Sequence, residues 1–465
     1  MEFLKIQNYN NTLMKSIVLL LLCAVYVNAQ VTLPSRQDGF WYKNRIVNTE
    51  SILIEAFFDP LCPDSRDSWP PLKLALQHYG SRLSLVVHPF PLPYHDNAFI
   101  SSRALHISNQ LNTSATYRLL ESFFDHQGKF YGNATFNLSR SSVVDKIARF
   151  TSNSIGNSHY AAVKAGFTDP KTDHATRISF KYGCVKGIYG TPSFFVNGFP
   201  LPDDGSTLDY NAWRKIIHPF LWLYKIENTN VMIELLSTAT KMVKSIVFLN
   251  FILIFIISVN SQIPDGFLYG GDGIIDITKS IVIEAFLDPV CPDSRDSWPP
   301  LKKALHHYGS RVSLVVHTFP LPYHDNAFTT SRALHIVNKL NSSATFRLLE
   351  AFFDQQDKFY GQATFDLSKA SAVDEVAKFT SNEIGNSNYA AVKAGFTDPK
   401  TDQATRISFK YGCVKGVYGA PFFFVNGFPL PDGGSPLDYK TWRDVLDPLI
   451  SPEEQLRTEN LNFFL

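Results

Sequence analysis

Hydrophobic and polar positions follow two rhythms along this chain, and the same succession of rhythms occurs twice. In the first occurrence, residues 52–58 (Ile-Leu-Ile-Glu-Ala-Phe-Phe) form a short apolar run that predicts a buried strand, stopped by Asp59-Pro60. A helix is expected to begin at Cys62, and Trp69-Pro70-Pro71 inside it should kink or interrupt it, because proline removes a helix donor. Residues 83–88 predict a second strand, followed by the proline-rich stretch 89–94. From Asp96 to about Lys186 apolar residues recur every three or four positions, as in Tyr117, Leu120, Phe123 and Phe124, which reads as a series of helices. Phe194-Phe195-Val196 and the Asn197-Gly198 pair then predict a strand and a tight hairpin, and a helix around Trp213 closes the pattern. An order of strand, helix, strand, several helices, hairpin and helix specifies an α/β sheet carrying a helical insertion.

Residues 51–210 recur without a gap at 280–439, with 128 of 160 positions identical. That period is far too long for a solenoid or propeller, so each copy is a whole domain. The flanks also repeat. Met14-Lys15-Ser16-Ile17-Val18 leads through an apolar stretch to Asn28-Ala29-Gln30, the pattern of a secretory signal cut after Ala29. Met242-Val243-Lys244-Ser245 opens a second such segment ending near Ser261-Gln262. Its apolar run, 246–257, is shorter than the ~20 residues a spanning helix needs. The expected organisation is therefore a signal peptide over 1–29 and a first domain over 30–220. A linker or read-through segment follows over 221–241, then a signal-like or membrane segment over 242–261, a second domain over 262–450 and a tail over 451–465. Two readings stand: two neighbouring gene copies read as one chain, or a tandem protein joined through a membrane segment. Lys241 and Lys244 would then lie on the luminal side, against the preference of positive flanks, which weighs toward the first.

Composition narrows the function. With 43 Lys and Arg against 42 Asp and Glu, a net charge of +1 and no like-charge run, the electrostatic signature of nucleic-acid binding is missing. Five cysteines in 465 residues do not make a disulfide-stapled scaffold. Asn112, Asn133, Asn137 and Asn341 begin glycosylation sequons, consistent with a secreted or vacuolar glycoprotein of the secretory pathway. The histidines do not form a ligand set with the spacing of a metal site, and neither a phosphate-cradling glycine loop nor a G-x-S-x-G elbow occurs, so no metal or cofactor is expected.

The strand, Cys62-Pro63-Asp64-Ser65 at a helix start, the helical insertion and Gly190-Thr191-Pro192 before Phe194-Phe195-Val196-Asn197-Gly198 together resemble the DsbA-like branch of the thioredoxin superfamily. The second copy carries Cys291-Pro292-Asp293-Ser294 and Ala420-Pro421 in the same places. The resemblance covers nearly all of both copies. It implies two thioredoxin-like α/β domains, each a central mixed sheet with a helical insertion between the second strand and the cis-Pro strand. It also implies cis bonds at Pro192 and Pro421, a substrate-binding loop at Thr191-Pro192 and Ala420-Pro421, and thiol–disulfide exchange or isomerisation on protein or peptide thiols.

One departure bears on the chemistry. The family's redox motif is C-x-x-C, whereas here Ser65 and Ser294 stand in the second position, and a hydroxyl cannot resolve a mixed disulfide. Catalysis would then rest on Cys62 and Cys291 as single nucleophiles, with Ser65 and Ser294 beside them in the site and glutathione or a substrate thiol as co-substrate. A non-catalytic peptide-binding module and a glutathione-dependent transferase or isomerase stay open beside it. The helix N-terminus and Ser65 favour the thiolate, Asp59 and Asp64 oppose it, and the expected outcome is a modest lowering of the Cys62 pKa. By the resemblance, the helix carrying Cys184 covers the sheet face opposite the Cys62 helix, so Cys184 and Cys413 are expected as buried free thiols, with a Cys62–Cys184 bridge or a resolving role through movement as the alternatives. Glu55 and Glu284 resemble the family's buried proton acceptor. His95 and His324 are candidates for proton transfer, against a plainer reading in which Asp96 and Asp325 cap a helix.

Overall fold

A computed structural model describes residues 39–44, 51–156, 159–201, 207–226, 266–270, 280–385, 388–431 and 433–450. Both signal-like segments, residues 227–241 of the linker and the tail at 451–465 lie outside the described residues. The described residues all belong to one compact unit. Among the described residues no helix is long and apolar enough to cross a membrane.

In the first copy β1 (Phe40–Trp41), β2 (Ile52–Phe58), β3 (Leu83–Pro89), β4 (Ser193–Val196) and β5 (Phe199–Pro200) form a sheet of order β1-β3-β2-β4-β5. β2 and β3 are parallel, with Glu55 opposite Val86, and the other pairings are antiparallel, so the sheet is mixed. The connection from β2 to β3 is α1 (Pro63–Tyr79). Between β3 and β4 lie α2 (Ala98–Leu111), α3 (Thr116–His126), α4 (Arg140–Ile155), α5 (Tyr160–Gly166) and α6 (Pro170–Val185), and α7 (Tyr210–Ile226) follows the hairpin. This is the expected central mixed sheet with a helical insertion after the second long strand. α7 runs past residue 220, the expected end of the domain.

Alternation along the strands sorts the core into two layers. Ile54, Ala56, Phe58 and Phe194 face α1, meeting Trp69 and Leu72. Phe57 and Phe195 face the other way, toward Phe180 and Cys184 of α6. The Asn197-Gly198 turn has both residues at positive φ, and the Asn197 side chain accepts a hydrogen bond from the Leu53 amide at 2.8 Å.

Two expectations need correction. α1 continues through Pro70 and Pro71 without interruption, because both prolines lie within a helix pinned by the burial of Trp69 and Leu72 against the sheet. β1 was not anticipated: two residues pairing at a sheet edge, Phe40 opposite Val87, are too few to show a period.

The second copy repeats the sheet with β6 (Phe267–Leu268), β7 (Ile281–Leu287), β8 (Val312–Thr318), β9 (Phe422–Val425) and β10 (Phe428–Pro429). Its helices are α8 (Pro292–Tyr308), α9 (Ala327–Leu340), α10 (Thr345–Asp354), α11 (Gln362–Phe365), α12 (Lys369–Ile384), α13 (Tyr389–Gly395), α14 (Pro399–Val414) and α15 (Tyr439–Leu446).

The copies share a core. One continuous cluster holds Phe57, Phe90, Phe180 and Cys184 together with Phe286, Phe319, Phe409 and Cys413. Contacts across it come in pairs related by the repeat. Arg177 lies 4.3 Å from the Tyr323 ring centre and Arg406 lies 4.3 Å from that of Tyr94. Arg140 pairs with Asp325 at 2.6 Å, and Lys369 faces Asp96 at 3.7 Å. The packing is thus a pseudo-two-fold, with the same surface used on both sides.

Candidate active site

Residues Asp59-Pro60-Leu61 turn the chain from β2 into α1, and Cys62 is the N-cap, followed by Pro63 in the first turn. The Cys62 thiol donates to the Thr191 carbonyl at 3.2 Å, and the Thr191–Pro192 bond is cis. The second copy repeats this: Cys291 Sγ lies 3.1 Å from the Ala420 carbonyl oxygen, beside cis Pro421. Nucleophile and loop therefore meet, although 129 residues separate them in the chain.

Beneath the thiol is a buried polar frame. Asp59, fully buried, accepts from the backbone amides of Leu61 (2.8 Å) and Leu92 (3.1 Å) and pairs with His95 Nδ1 at 2.8 Å. Ser65 Oγ accepts from the Asp59 amide at 3.3 Å. The Gln127 amide donates to the Pro60 and Cys62 carbonyls at 3.1 and 2.8 Å, tying the α3 end to the head of α1. Asp288, Ser294, His324 and Gln356 repeat these contacts in the second copy.

This environment corrects the expected thiol chemistry. Burial, followed by the negative charge of Asp59, pushes the Cys62 thiol up, and the hydrogen bonds at Thr191 and Ser65 only partly offset it. Cys291 is pushed up to about 12 by burial and by Asp288. Each thiol is 3% exposed. A helix N-terminus lowers a pKa where water reaches it; here desolvation wins, and Cys291 lies in the apolar cluster that both copies build. Tyr94 stands in the field of both Cys62 and Cys413, beneath Arg406 of the second copy. Lys181 of α6 is within electrostatic reach of Cys291 and Asp293. Lys410 lies 5.9 Å from the ring centre of Tyr189, next to the Thr191 loop.

Other predicted residues fall elsewhere. Glu55 accepts from Tyr182 Oη and Lys186 Nζ, both at 3.0 Å, on the α6 side of the sheet rather than beside the thiol at the head of α1. Glu284 has the same partners, Tyr411 and Lys415; despite burial, the neighbouring His317, 3.7 Å away, and the Lys415 ammonium hold its pKa at about 2. The structure does not bring either carboxylate to a cysteine. Asp96 is not a helix cap either. Asn97 occupies that position in the left-handed region, and Asp96 turns to Lys369 of the other copy. His95 and His324 instead line a cavity of about 110 Å³ between the copies, with Arg140 and Lys369. All four described cysteines are free and buried, including Cys184 and Cys413. Among the sequons, Asn133, Asn137 and Asn341 are exposed and Asn112 is half-buried. Among the described residues no cluster of ligands could hold a metal ion.

Sequence reasoning passed over Gln127 and Gln356. A glutamine at a helix end is ordinarily solvated, and only the fold shows its amide closing the loop before the cysteine.

No protein-family model matches the chain, and no curated protein does. Solved structures similar to it include a thioredoxin-like oxidoreductase from Silicibacter pomeroyi, 17% identical, covering 40% of this chain and 94% of that one, with a TM-score of 0.30. Others are BdbD from Bacillus subtilis, in its oxidised form, at 12% identity, 41% and 96% coverage and TM-score 0.33, and MdbA, a thiol-disulfide oxidoreductase from Actinomyces oris, at 12%, 39% and 85%, and 0.32.

Proposed function

We propose that each copy carries out thiol–disulfide exchange on protein or peptide thiols through its single cysteine, and that the closed pairing of the copies is a resting form. The observation that carries this reading is the 3.2 Å contact of Cys62 Sγ with the Thr191 carbonyl. It sets a thiol at a helix start against the loop backbone along which an extended peptide would lie. In the reaction the Cys62 thiolate attacks a substrate sulfur, the substrate S–S bond breaks, and a mixed disulfide forms as one substrate thiol leaves. Ser65 cannot complete the cycle. Glutathione or the substrate's own second thiol attacks the mixed disulfide and regenerates Cys62, which gives exchange in the first case and isomerisation in the second. The thiol of the closed form is protonated at neutral pH, so turnover requires the copies to part and water to reach Cys62. His95, paired with Asp59 and lining the cavity between the copies, takes up the released proton in this reading. The same reading puts the chain in an oxidising compartment, secreted or vacuolar.

The burial of the thiol favours one other reading, a peptide-binding module in which Cys62 only packs. Incubation of the full chain with a peptide disulfide, followed by acid quenching and mass spectrometry, separates them. Exchange predicts a mixed disulfide on Cys62 or Cys291 that glutathione removes and that Cys62→Ala with Cys291→Ala abolishes. Peptide retained without a covalent adduct, and equally by the double variant, would overturn it.

A further inference from the structure

Two thiols stand outside this chemistry, and the symmetry of the fold brings them together. α6 and α14 approach within 8 Å, Cα to Cα, where the copies meet. In a two-fold interface a residue that touches its own counterpart lies on the axis. Phe180 and Phe409 are such a pair, stacked with ring centres 6.2 Å apart, and Ser139 and Ser368, joined by an antiparallel bridge, are another. Cys184 and Cys413 follow the stacked phenylalanines by one helical turn on the same helix faces. Both are 0% exposed within the cluster the copies share.

We propose that Cys184 and Cys413 join as an inter-copy disulfide that clamps the two domains together over Cys62 and Cys291. A bridge requires Cα atoms within ~7 Å, and the two helices that carry these cysteines, each one turn past the stacked phenylalanines, come within 8 Å of each other. The thiols also interact directly: after burial, contact with Cys413 is what pushes the Cys184 pKa well above its ordinary value. The oxidant is a small-molecule disulfide, represented by oxidised glutathione. One cysteine thiolate attacks it and releases reduced glutathione, leaving a mixed disulfide. The second thiolate attacks the protein sulfur of that adduct and releases the second glutathione. Two electrons pass from the cysteine pair to glutathione, and the two thiol protons end on the two glutathione thiols. Because the closed interface excludes solvent, oxidation occurs while the copies are apart and is completed as they close.

The clamp does not depend on catalysis by Cys62. The full chain, purified under reductant, is unfolded and refolded in glutathione buffers of increasing oxidised fraction. It is then blocked with N-ethylmaleimide and digested without reduction. A peptide linking Cys184 to Cys413 is expected, in the wild type and equally in Cys62→Ala with Cys291→Ala. Once oxidised, the chain should alkylate at Cys62 at least ~10-fold more slowly than the reduced chain, since opening is then suppressed. Recovery of Cys184 and Cys413 as alkylated thiols, or bridged to Cys62, Cys291 or glutathione, would overturn the proposal, as would equal Cys62 rates in the two redox forms. The wild-type peptide map decides the bridge even if Cys184→Ala fails to fold.

Discussion

Asp59 shows how one buried carboxylate governs both shape and reactivity. It holds the Leu61 and Leu92 amides and His95, and its charge helps keep the Cys62 proton on. Asp59→Asn removes the charge and one of the accepting positions. The Cys62 pKa should fall and its alkylation at pH 7 should rise several-fold, while stability drops by about 1–3 kcal/mol; alkylation rates against pH and urea midpoints check both. The raised thiols also set a pH dependence. Folded Cys291 keeps its proton up to about 12, whereas an unfolded cysteine loses it above about 8.5. The folded state therefore binds more protons in that window, and stability falls with rising pH by up to about 1.4 kcal/mol per unit. Cys291→Ala should flatten this alkaline slope, measured as urea midpoints from pH 8 to 11. At this scale the sequence was legible in placement, since the motif residue Cys62 meets the Thr191-Pro192 loop. It was misleading for the thiols' protonation, because desolvation depends on what the fold packs over Cys62 and Cys291, and Cys291 sits in a cluster built from both copies.

At the scale of elements, the position of α6 is set by the absence of a side chain. A Cβ on Gly183 would stand 2.4 Å from the Phe90 ring, and one on Gly412 would stand 2.6 Å from Phe319. Both rings are fully buried and stacked, on Phe180 and Phe409 respectively, so neither can move aside. Gly183→Ala should push α6 off the sheet and cost about 1–3 kcal/mol, read as a lowered urea midpoint with retained helical circular dichroism. If the midpoint is unchanged, the helix has room that the structure does not show. The order of elements was readable from periodicity because strand and helix repeats differ and the hairpin carries Asn-Gly. The strand face of Glu55 was not, since it points to Tyr182 and Lys186 by strand parity, and one residue of register reverses that. Continuity of α1 through Pro70 was likewise invisible, because tertiary burial of Trp69 overrides the local preference.

At the scale of the whole molecule, the proposed function makes the pairing of copies decide when the cysteines are reachable. Arg177 and Arg406 each lie over a tyrosine of the other copy, contacts of about 0.5–2 kcal/mol. Arg177→Glu with Arg406→Glu turns two attractions into repulsions against the ring faces. The expected result is a larger radius of gyration by X-ray scattering and a Cys62 alkylation rate raised by ~10-fold under reducing conditions. Unchanged scattering and labelling would mean the apolar cluster holds the copies without them. The duplication was plain in the sequence, but the docking of the copies was not, since a surface shared by both leaves no contrast between them. That self-complementarity has a consequence for assembly. Each chain carries two closely similar valences joined in series, so a copy can be satisfied by its sibling or by the equivalent copy of a neighbouring molecule. Internal ring closure wins in dilute solution, where the sibling's local concentration exceeds that of any stranger. In concentrated solution the same surface can link chains end to end, and the bond that completes one molecule becomes the repeat unit of a polymer.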